Sequence, residues 1–415
     1  MKRRLLPILM TLVLVCALPI WAAFVTSGDV TNPLVSTAAA TEPTLQGMID
    51  KANAGDTITL NSNTEIAATL QITKNLTLDL NGYVLKMTGT GSVLYVHNGA
   101  TLTITDSSAA KSGTITGGNA EDGGGVYVEA HATLEMTGGC ITGCRAEDGG
   151  GVYIDNNATL KMTGGCITGC RAEDGGGIYS YENLYMGGTA KIEKCTSKWG
   201  SDDAIWNRER CNIYADGGTV DGTVNNQGTI RRSEGAAAET VFNGTVYNRS
   251  AGTIIAGIYN ETVENNGTIT GGTFWGTVTN KKSAWGNEAG TISGGTFAVR
   301  FDTGDGTKPE PTPVEHNRTV LRPTSDPEKS GHTFVGWYLG DALYDFNTPV
   351  TAPLTLTARW EEVPSSGGNY YYHPTTDTKA DDTKGSPKTA DPGVALYGAL
   401  ALLSLTGLTC TAKKR

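Results

Sequence analysis

Two consecutive stretches of this chain are almost the same line. Gly123–Asp148 reads GGGVYVEAHATLEMTGGCITGCRAED and Gly149–Asp174 reads GGGVYIDNNATLKMTGGCITGCRAED. A third copy opens at Gly175 with GGGIY and then drifts; the starts are 149 − 123 = 26 and 175 − 149 = 26 residues apart. A fixed period of this size marks a solenoid, in which each unit buries its face only against its neighbours. Within one copy Val126 and Val128, Leu134 and Met136, and then Ile141 alternate with polar residues. Period-two alternation predicts short strands with one face inward, and Gly and Asn/Asp clusters between them predict turns. Each copy therefore reads as about three strands, one coil of a parallel β-helix. With 415 residues the chain is too long for one ordinary compact core, a limit a solenoid escapes.

Leu45, Met48, Ile49 and Ala52 recur at helical spacing within Thr41–Asp56, closed by Gly55. This predicts a short amphipathic helix placed to cap the first open rung. Ile58–Leu60, Leu70–Ile72, Leu76–Leu80, Val93–Val96 and Thr101–Ile104 then supply less regular coils. After Trp199 the period shortens, with GTV and GTI units around Val220, Ile230, Val246, Ile254, Val263 and Ile269. The expected β-helix domain spans 41–296, with coils from about Gly55 to Thr296. At ~24 residues and ~4.8 Å per coil it is a rod of roughly ten coils and about 50 Å.

This coil length and pattern resembles the right-handed parallel β-helix of the pectin-lyase-like superfamily. The resemblance implies an all-β fold and brings polysaccharide lyases and hydrolases into view. Gly200–Ile205, GSDDAI, is close to the Asp-pair element of polygalacturonase-like enzymes, but the His-Gly element has no counterpart at His97 or His131. Ala204, Ile205 and Trp206 align with Gly177, Ile178 and Tyr179 one coil earlier, so Asp202 and Asp203 are expected in the turn before a strand. Residues 297–362 resemble the Listeria–Bacteroides (internalin B-type) repeat through Phe301–Asp302, Gly331–Trp337, Tyr344–Phe346 and Ala358–Trp360. That resemblance implies a small, β-rich, grasp-like module of bacterial surface proteins, with Phe334 and Trp337 in its core.

Both ends read as export signals. Lys2, Arg3 and Arg4 precede an apolar run from Leu5 to about Val25, the layout of a signal peptide within 1–40, cleaved between about 23 and 40, or of an uncleaved anchor. Residues 363–385 turn to Ser, Gly, Thr, Asp and Lys and are expected to be a flexible linker. Ser386, Pro387, Lys388, Thr389, Ala390 and Asp391 precede the mostly apolar Val394–Ala412 and a Lys413–Lys414–Arg415 tail. The run is long enough for a transmembrane segment with its basic tail in the cytoplasm. Together these resemble a Gram-positive cell-wall sorting signal, with Ser386 and Ala390 departing from the common Leu and Gly. The resemblance implies a sortase that attacks the Thr389 carbonyl and joins it to peptidoglycan; a plain membrane anchor is the alternative.

Three sets of residues are candidates for function. Tyr127, Tyr153, Tyr179 and Trp206 each follow an inward Val or Ile, so they stack outward on successive rungs. Such a ladder either binds glycan rings or stabilises itself. Glu121–Asp122, Glu147–Asp148 and Glu173–Asp174 also recur each coil. Asp122, Asp148 and Asp174 are calcium candidates, with neutralisation by Arg145 and Arg171 as the preferred alternative. Glu135 and Lys161 share one outward slot and are expected to pair as register support. Cys140 and Cys166 share a slot, as do Cys144, Cys170 and, after a one-residue deletion, Cys195; Cys211 stands alone. Rung-to-rung disulfides are expected, Cys140–Cys166 first, with a zinc site or free thiols as alternatives.

The net charge of −10 has no basic cluster within the exported part, which argues against nucleic acid. The expectation is a non-enzymatic, cell-wall-anchored surface protein presenting its β-helix for adhesion or glycan binding. It needs no cofactor. Its partners are a sortase and peptidoglycan, then host or community glycans or surface proteins. A secreted polysaccharide lyase or hydrolase is the alternative, and a structural spacer the third reading.

Overall fold

A computed structural model describes residues 43–282, 289–307 and 310–363. The signal-peptide, linker, sorting-signal and apolar C-terminal segments lie outside the described residues. No helix among the described residues is long and apolar enough to cross a membrane.

Strands of three or four residues stack because each coil repeats the inward residues of the last. Strand Val126–Val128 pairs in parallel with Leu94–Val96 and Val152–Ile154. Thr133–Met136 does so with Thr101–Thr105 and Thr159–Met162, and Cys140–Thr142 with Thr114–Thr116 and Cys166–Thr168. Three strands per coil make three faces. One face is a ten-stranded parallel sheet from Leu70–Ile72 to Val278–Asn280, matching the expected number of coils. The other two faces merge where Asn183–Glu193 and Asn212–Asp221 run through the corner as single long strands. Inward residues such as Leu102, Leu134, Leu160, Leu184, Ile213 and Ile230 form continuous buried columns.

Coil length falls along the chain. Val126, Val152 and Ile178 are 26 residues apart, whereas Val246, Val263 and Val278 are 263 − 246 = 17 and 278 − 263 = 15 apart. The narrow coils fill their interior differently. Phe242, Tyr259, Phe274 and Phe297 stack inside with ring centroids 5.0, 4.9 and 5.5 Å apart. Alongside, the slot filled by Val128, Ile154 and Ser180 in the wide coils becomes Asn207, Asn226, Asn248, Asn265 and Asn280. Each side-chain amide donates to the next carbonyl oxygen at 2.7–2.8 Å. The inner amides of Asn226, Asn248 and Asn265 thus satisfy one another, as burial of polar groups requires, while Asn207 Oδ1 at the start of the column has no partner and Asn280 at its end is exposed.

Buried carboxylates hold one corner. Asp106 accepts from the N–H groups of Gly82 (2.8 Å), Ser108 (3.1 Å) and Gly113 (2.7 Å), and Asp79 accepts from Asn81 and Ser107. Burial opposes ionisation of Asp106, but these donors outweigh it and its pKa lies below the ordinary value.

Both ends of the solenoid are closed. The expected helix runs Leu45–Lys51, N-capped by Thr44, and buries Leu45 and Ile49 on the first coil. Its Gln46 Oε1 accepts from Gln71 N at 2.8 Å while Nε2 donates to Gln71 O at 3.2 Å, so one side chain occupies the open edge of the first strand. At the far end the expected boundary at 296/297 falls inside a strand. In Thr296–Asp302, Phe297 completes the solenoid core, and Val299–Asp302 pair in parallel with the closing strand Leu354–Glu362 of the repeat module. Thr312–Glu315 adds antiparallel to Thr296–Val299.

The module itself is a mixed sheet in which His332–Leu339 pairs antiparallel with Leu354–Glu362. Phe301, Phe334, Trp337 and Trp360 meet edge to face at centroid distances of 4.9–5.5 Å, and Trp337 is buried. No helix lies among the described residues of 297–363, so the likeness to a grasp-like module rests on its strands.

Candidate functional site: an aromatic column between two hollows

The triple glycines place the outward aromatic column. Gly123, Gly149 and Gly175 have φ of 61–65°, a left-handed conformation that glycine adopts without strain. A Cβ on Gly150 would lie 2.5 Å from the Gly176 carbonyl of the next coil, so the chains pass too closely for any side chain. This turn delivers Val-Tyr-Val strands in exact register, and Tyr95, Tyr127, Tyr153, Tyr179 and Trp206 stack with centroids 4.8, 5.1, 5.7 and 6.5 Å apart. Tyr95 extends the column by one rung beyond the sequence reading. Its strand lies in a less regular coil, where the repeat is not visible.

Outward direction does not bring exposure here. Tyr153 and Tyr179 are only 9% and 2% exposed. Tyr181 leans on both at 5.8 and 5.4 Å. Arg208 donates to the Tyr179 hydroxyl at 2.7 Å and stands 4.8 Å from the Tyr181 ring centre. The middle of the column is thus covered, and only its ends are open. At one end Tyr95 and Tyr127 line a groove of about 880 Å³ with Gln71, Asn119, Glu121 and Asp122. At the other, Trp206 lines a hollow of about 360 Å³ with Trp199, Asp202 and Asp203.

A carboxylate column flanks the rings. Asp122, Asp148 and Asp174 meet on adjacent rungs, and all three pKa values are raised, chiefly by burial. Asp148 is pushed up to about 6 by burial and by the charges of Asp174 and Asp122, with Arg208 opposing. The expected counter-ions are not Arg145 and Arg171, which are exposed on the coil surface. The counter-charge comes from Arg208, one column over, because the repeat's own arginines precede the turn and leave the coil there. Glu173 pairs instead with Lys198. Among the described residues no three His, Cys, Asp or Glu side chains are grouped to hold a metal ion. Glu135 and Lys161 do pair, at 3.6 Å.

Asp203 sits in the expected turn and is 5% exposed. Its Oδ2 accepts from Gly176 N at 3.2 Å. Burial raises its pKa from the ordinary 3.8 to about 6, the Gly176 N–H opposing and the Asp174 charge adding. The folded state therefore keeps this proton to higher pH than the unfolded chain does. This contribution to stability is full below pH ~4, is lost as pH rises towards ~6, and levels off above, for a change of about 3 kcal/mol. Urea melts between pH 4 and 7 check this: Asp203→Asn should shallow the decline, and an unchanged slope would assign it to other groups.

Sulfur divides by direction. Cys140 and Cys166 point outward on paired strands, with Cα atoms 4.5 Å apart, and are joined by a disulfide. Cys144, Cys170, Cys195 and Cys211 are buried free thiols, where rung-to-rung bonds were expected. They follow their strands and turn inward, where the Cys170 and Cys195 thiols donate to carbonyl groups of the preceding coil, those of Ile141 and Ile167. Contact with the Cys144 and Cys195 thiols, and then burial, hold the Cys170 pKa well up, so it is unreactive.

Residues 297–359 match the Listeria-Bacteroides repeat domain family. Two proteins of Evansella cellulosilytica share a segment with this chain. One, provisionally named a Gly-rich membrane protein, is 35% identical over 69 residues, which are 16% of this chain and 8% of its own length. The other, provisionally named a membrane protein, is 38% identical over 69 residues, 16% of this chain and 10% of its own length. The chain thus spans a tenth or less of these relatives. No solved structure matches it. What can be placed by family is the module that closes the solenoid: residues 297–359 are a Listeria-Bacteroides repeat domain.

Proposed function

We propose that this chain is a non-enzymatic surface protein of a Gram-positive cell whose solenoid binds glycans, attached to the wall through Thr389 as the sorting-signal resemblance implies. The repeat domain and the provisional membrane-protein names of the two relatives support the surface location. The observation that carries the binding reading is the open groove at Tyr95 and Tyr127. It combines the edges of two stacked rings with amide and carboxylate groups, a mixture of apolar surface and hydrogen-bonding groups that suits a sugar. The covered Tyr153 and Tyr179 serve as the support of that end. A glycan array with the full-length protein tests it. Tyr95→Ala should weaken the strongest signal at least tenfold with circular dichroism unchanged, and muramidase should release the protein with a peptidoglycan fragment on Thr389. Equal binding by a folded Tyr95→Ala protein would sink the groove, and release by mild detergent alone would sink the anchor.

A polysaccharide lyase or hydrolase is the second reading. The carboxylates raised to about 6, Asp148 and Asp203, favour it, since acid–base groups work best near the ambient pH. Unsaturated or reducing-end product from an array-positive glycan would select it.

A further inference from the structure

We propose that the hollow beside Trp206 is a subsite for a sugar ring carrying a free, protonated amine. This rests on the glycan-binding reading above and adds a second site with its own ligand class.

The hollow begins where the aromatic column is interrupted. Trp206 has Tyr179 on one face. The next residue in its slot is Asn225, and the one after is Tyr247. Asn225 is too short to cover an indole. Tyr247 in turn is covered by Arg249, whose guanidinium stands 4.8 Å from the ring centre and donates to Asn225 Oδ1 at 2.6 Å. The stack is therefore open on the far side of Trp206, at a rung spacing of about 4.8 Å. A ring stacked there would continue the column. The volume of about 360 Å³ is at the small end of the range for small-molecule sites.

Two polar atoms on the residues lining this hollow have no partner. Trp206 Nε1 is a buried donor without an acceptor, and Asp203 Oδ1 is a buried acceptor without a donor. Buried groups left unpaired cost free energy, so each points to something that would pair it. A hydroxyl answers the indole N–H and an ammonium or second hydroxyl answers the carboxylate. Charge selects between them. Glu173, Asp174, Asp202 and Asp203 line this hollow with the single guanidinium of Arg249; Lys198 pairs with Glu173 and Arg208 counters Asp174, which leaves Asp202 and Asp203 against Arg249. The remaining excess is negative and favours a cation. A ring with vicinal hydroxyl and ammonium groups, a hexosamine lacking its acetyl group, supplies the flat face, the acceptor and the charged donor together. Trp199, 82% exposed, stands at the rim with the Lys198 ammonium 5.0 Å from its ring centre. A ligand gives it a purpose.

The test is calorimetry and tryptophan fluorescence of the full-length protein with glucosamine oligomers, N-acetylglucosamine oligomers and glucose oligomers as probes. The amine-bearing probe should bind at least tenfold tighter than the other two. Trp199→Ala and Asp202→Asn, both on exposed residues, should each weaken it severalfold while leaving circular dichroism unchanged. Asp203→Asn should weaken it further, and if that variant does not fold the two exposed-site variants decide. Equal affinity for the three probes would overturn the proposal, as would binding indifferent to both exposed substitutions. Tyr95→Ala separates the two readings. If array binding is lost in Tyr95→Ala while glucosamine oligomers do not bind the unaltered protein, the groove stands and the Trp206 subsite falls.

Discussion

Phe274→Ala should be among the most damaging single substitutions in the solenoid, with a local cost of about 3–5 kcal/mol. The ring is fully buried in the narrow coils, 4.9 Å from Tyr259 and 5.5 Å from Phe297. Its removal leaves a cavity beside Gly272 and Gly295, where an added Cβ would stand only 3.3 and 3.0 Å from the Phe274 ring, and neither glycine has a side chain to fill the space. Stacking adds about 0.5–1.5 kcal/mol per pair to the area term. Coils interact with nearest neighbours, so the loss should stay local. Hydrogen exchange is the measurement. The amides of Thr273 and Thr296, which donate to Gly257 and Gly272, should exchange more than a hundredfold faster, by the tenfold per 1.4 kcal/mol relation. Those of Val126–Ile154 should keep their rates. Unchanged exchange at Thr273 and Thr296 would mean the ring is not part of the core.

The asparagine column should show a different signature, a single substitution that costs more than its share of a triple one. Asn248 is fully buried; its Oδ1 accepts from Asn226 at 2.8 Å, and its Nδ2 donates to Asn265 Oδ1 at 2.7 Å and to Thr268 O at 3.3 Å. Asn248→Leu keeps the shape and leaves groups on both neighbours unpaired, at about 1–3 kcal/mol for each. Replacing Asn226, Asn248 and Asn265 together by leucine removes donors and acceptors as a set. Its cost should therefore fall well below the sum of the three singles, because partners deleted together leave fewer orphans. Urea melts of the three single variants and the triple test this directly. A triple cost equal to the sum would show that the amides act independently and that the column is not a network.

The coil architecture was legible because it is written as repetition. The 26-residue period, the Val-Tyr-Val and Thr-Leu-x-Met strands and the shared slot of Cys140 and Cys166 all follow from aligning one line beneath another. The amide column was not read, although IWN, VNN, VYN, VEN and VTN are visible in order. A single Asn at an inward position looks like an error in the pattern, and only its partners above and below make it stable. The exposure of the aromatic column could not be read either. Alternation fixes which way Tyr179 points, but what covers it is Arg208 from the next coil and Tyr181 from the bend directly after its own strand. Arg145 and Arg171 fail as counter-ions for the same reason: nearness along the chain is not nearness across a corner. The hollow at Trp206 exists because Asn225 breaks a run of rings, a signal present in the sequence only once the slots are known.

The strand Thr296–Asp302 has a mechanical consequence. Phe297 is locked into the last coil and Phe301, four residues on, into the core of the repeat domain. Two parts joined at such a point by a flexible tether would swivel about the joint. Here the same backbone segment is laddered on both sides, to Thr273–Phe274 at one end and to Leu354–Thr357 at the other. A force applied to the solenoid is therefore passed to the repeat domain through one continuous strand that is paired on both sides, with no free joint between the two parts.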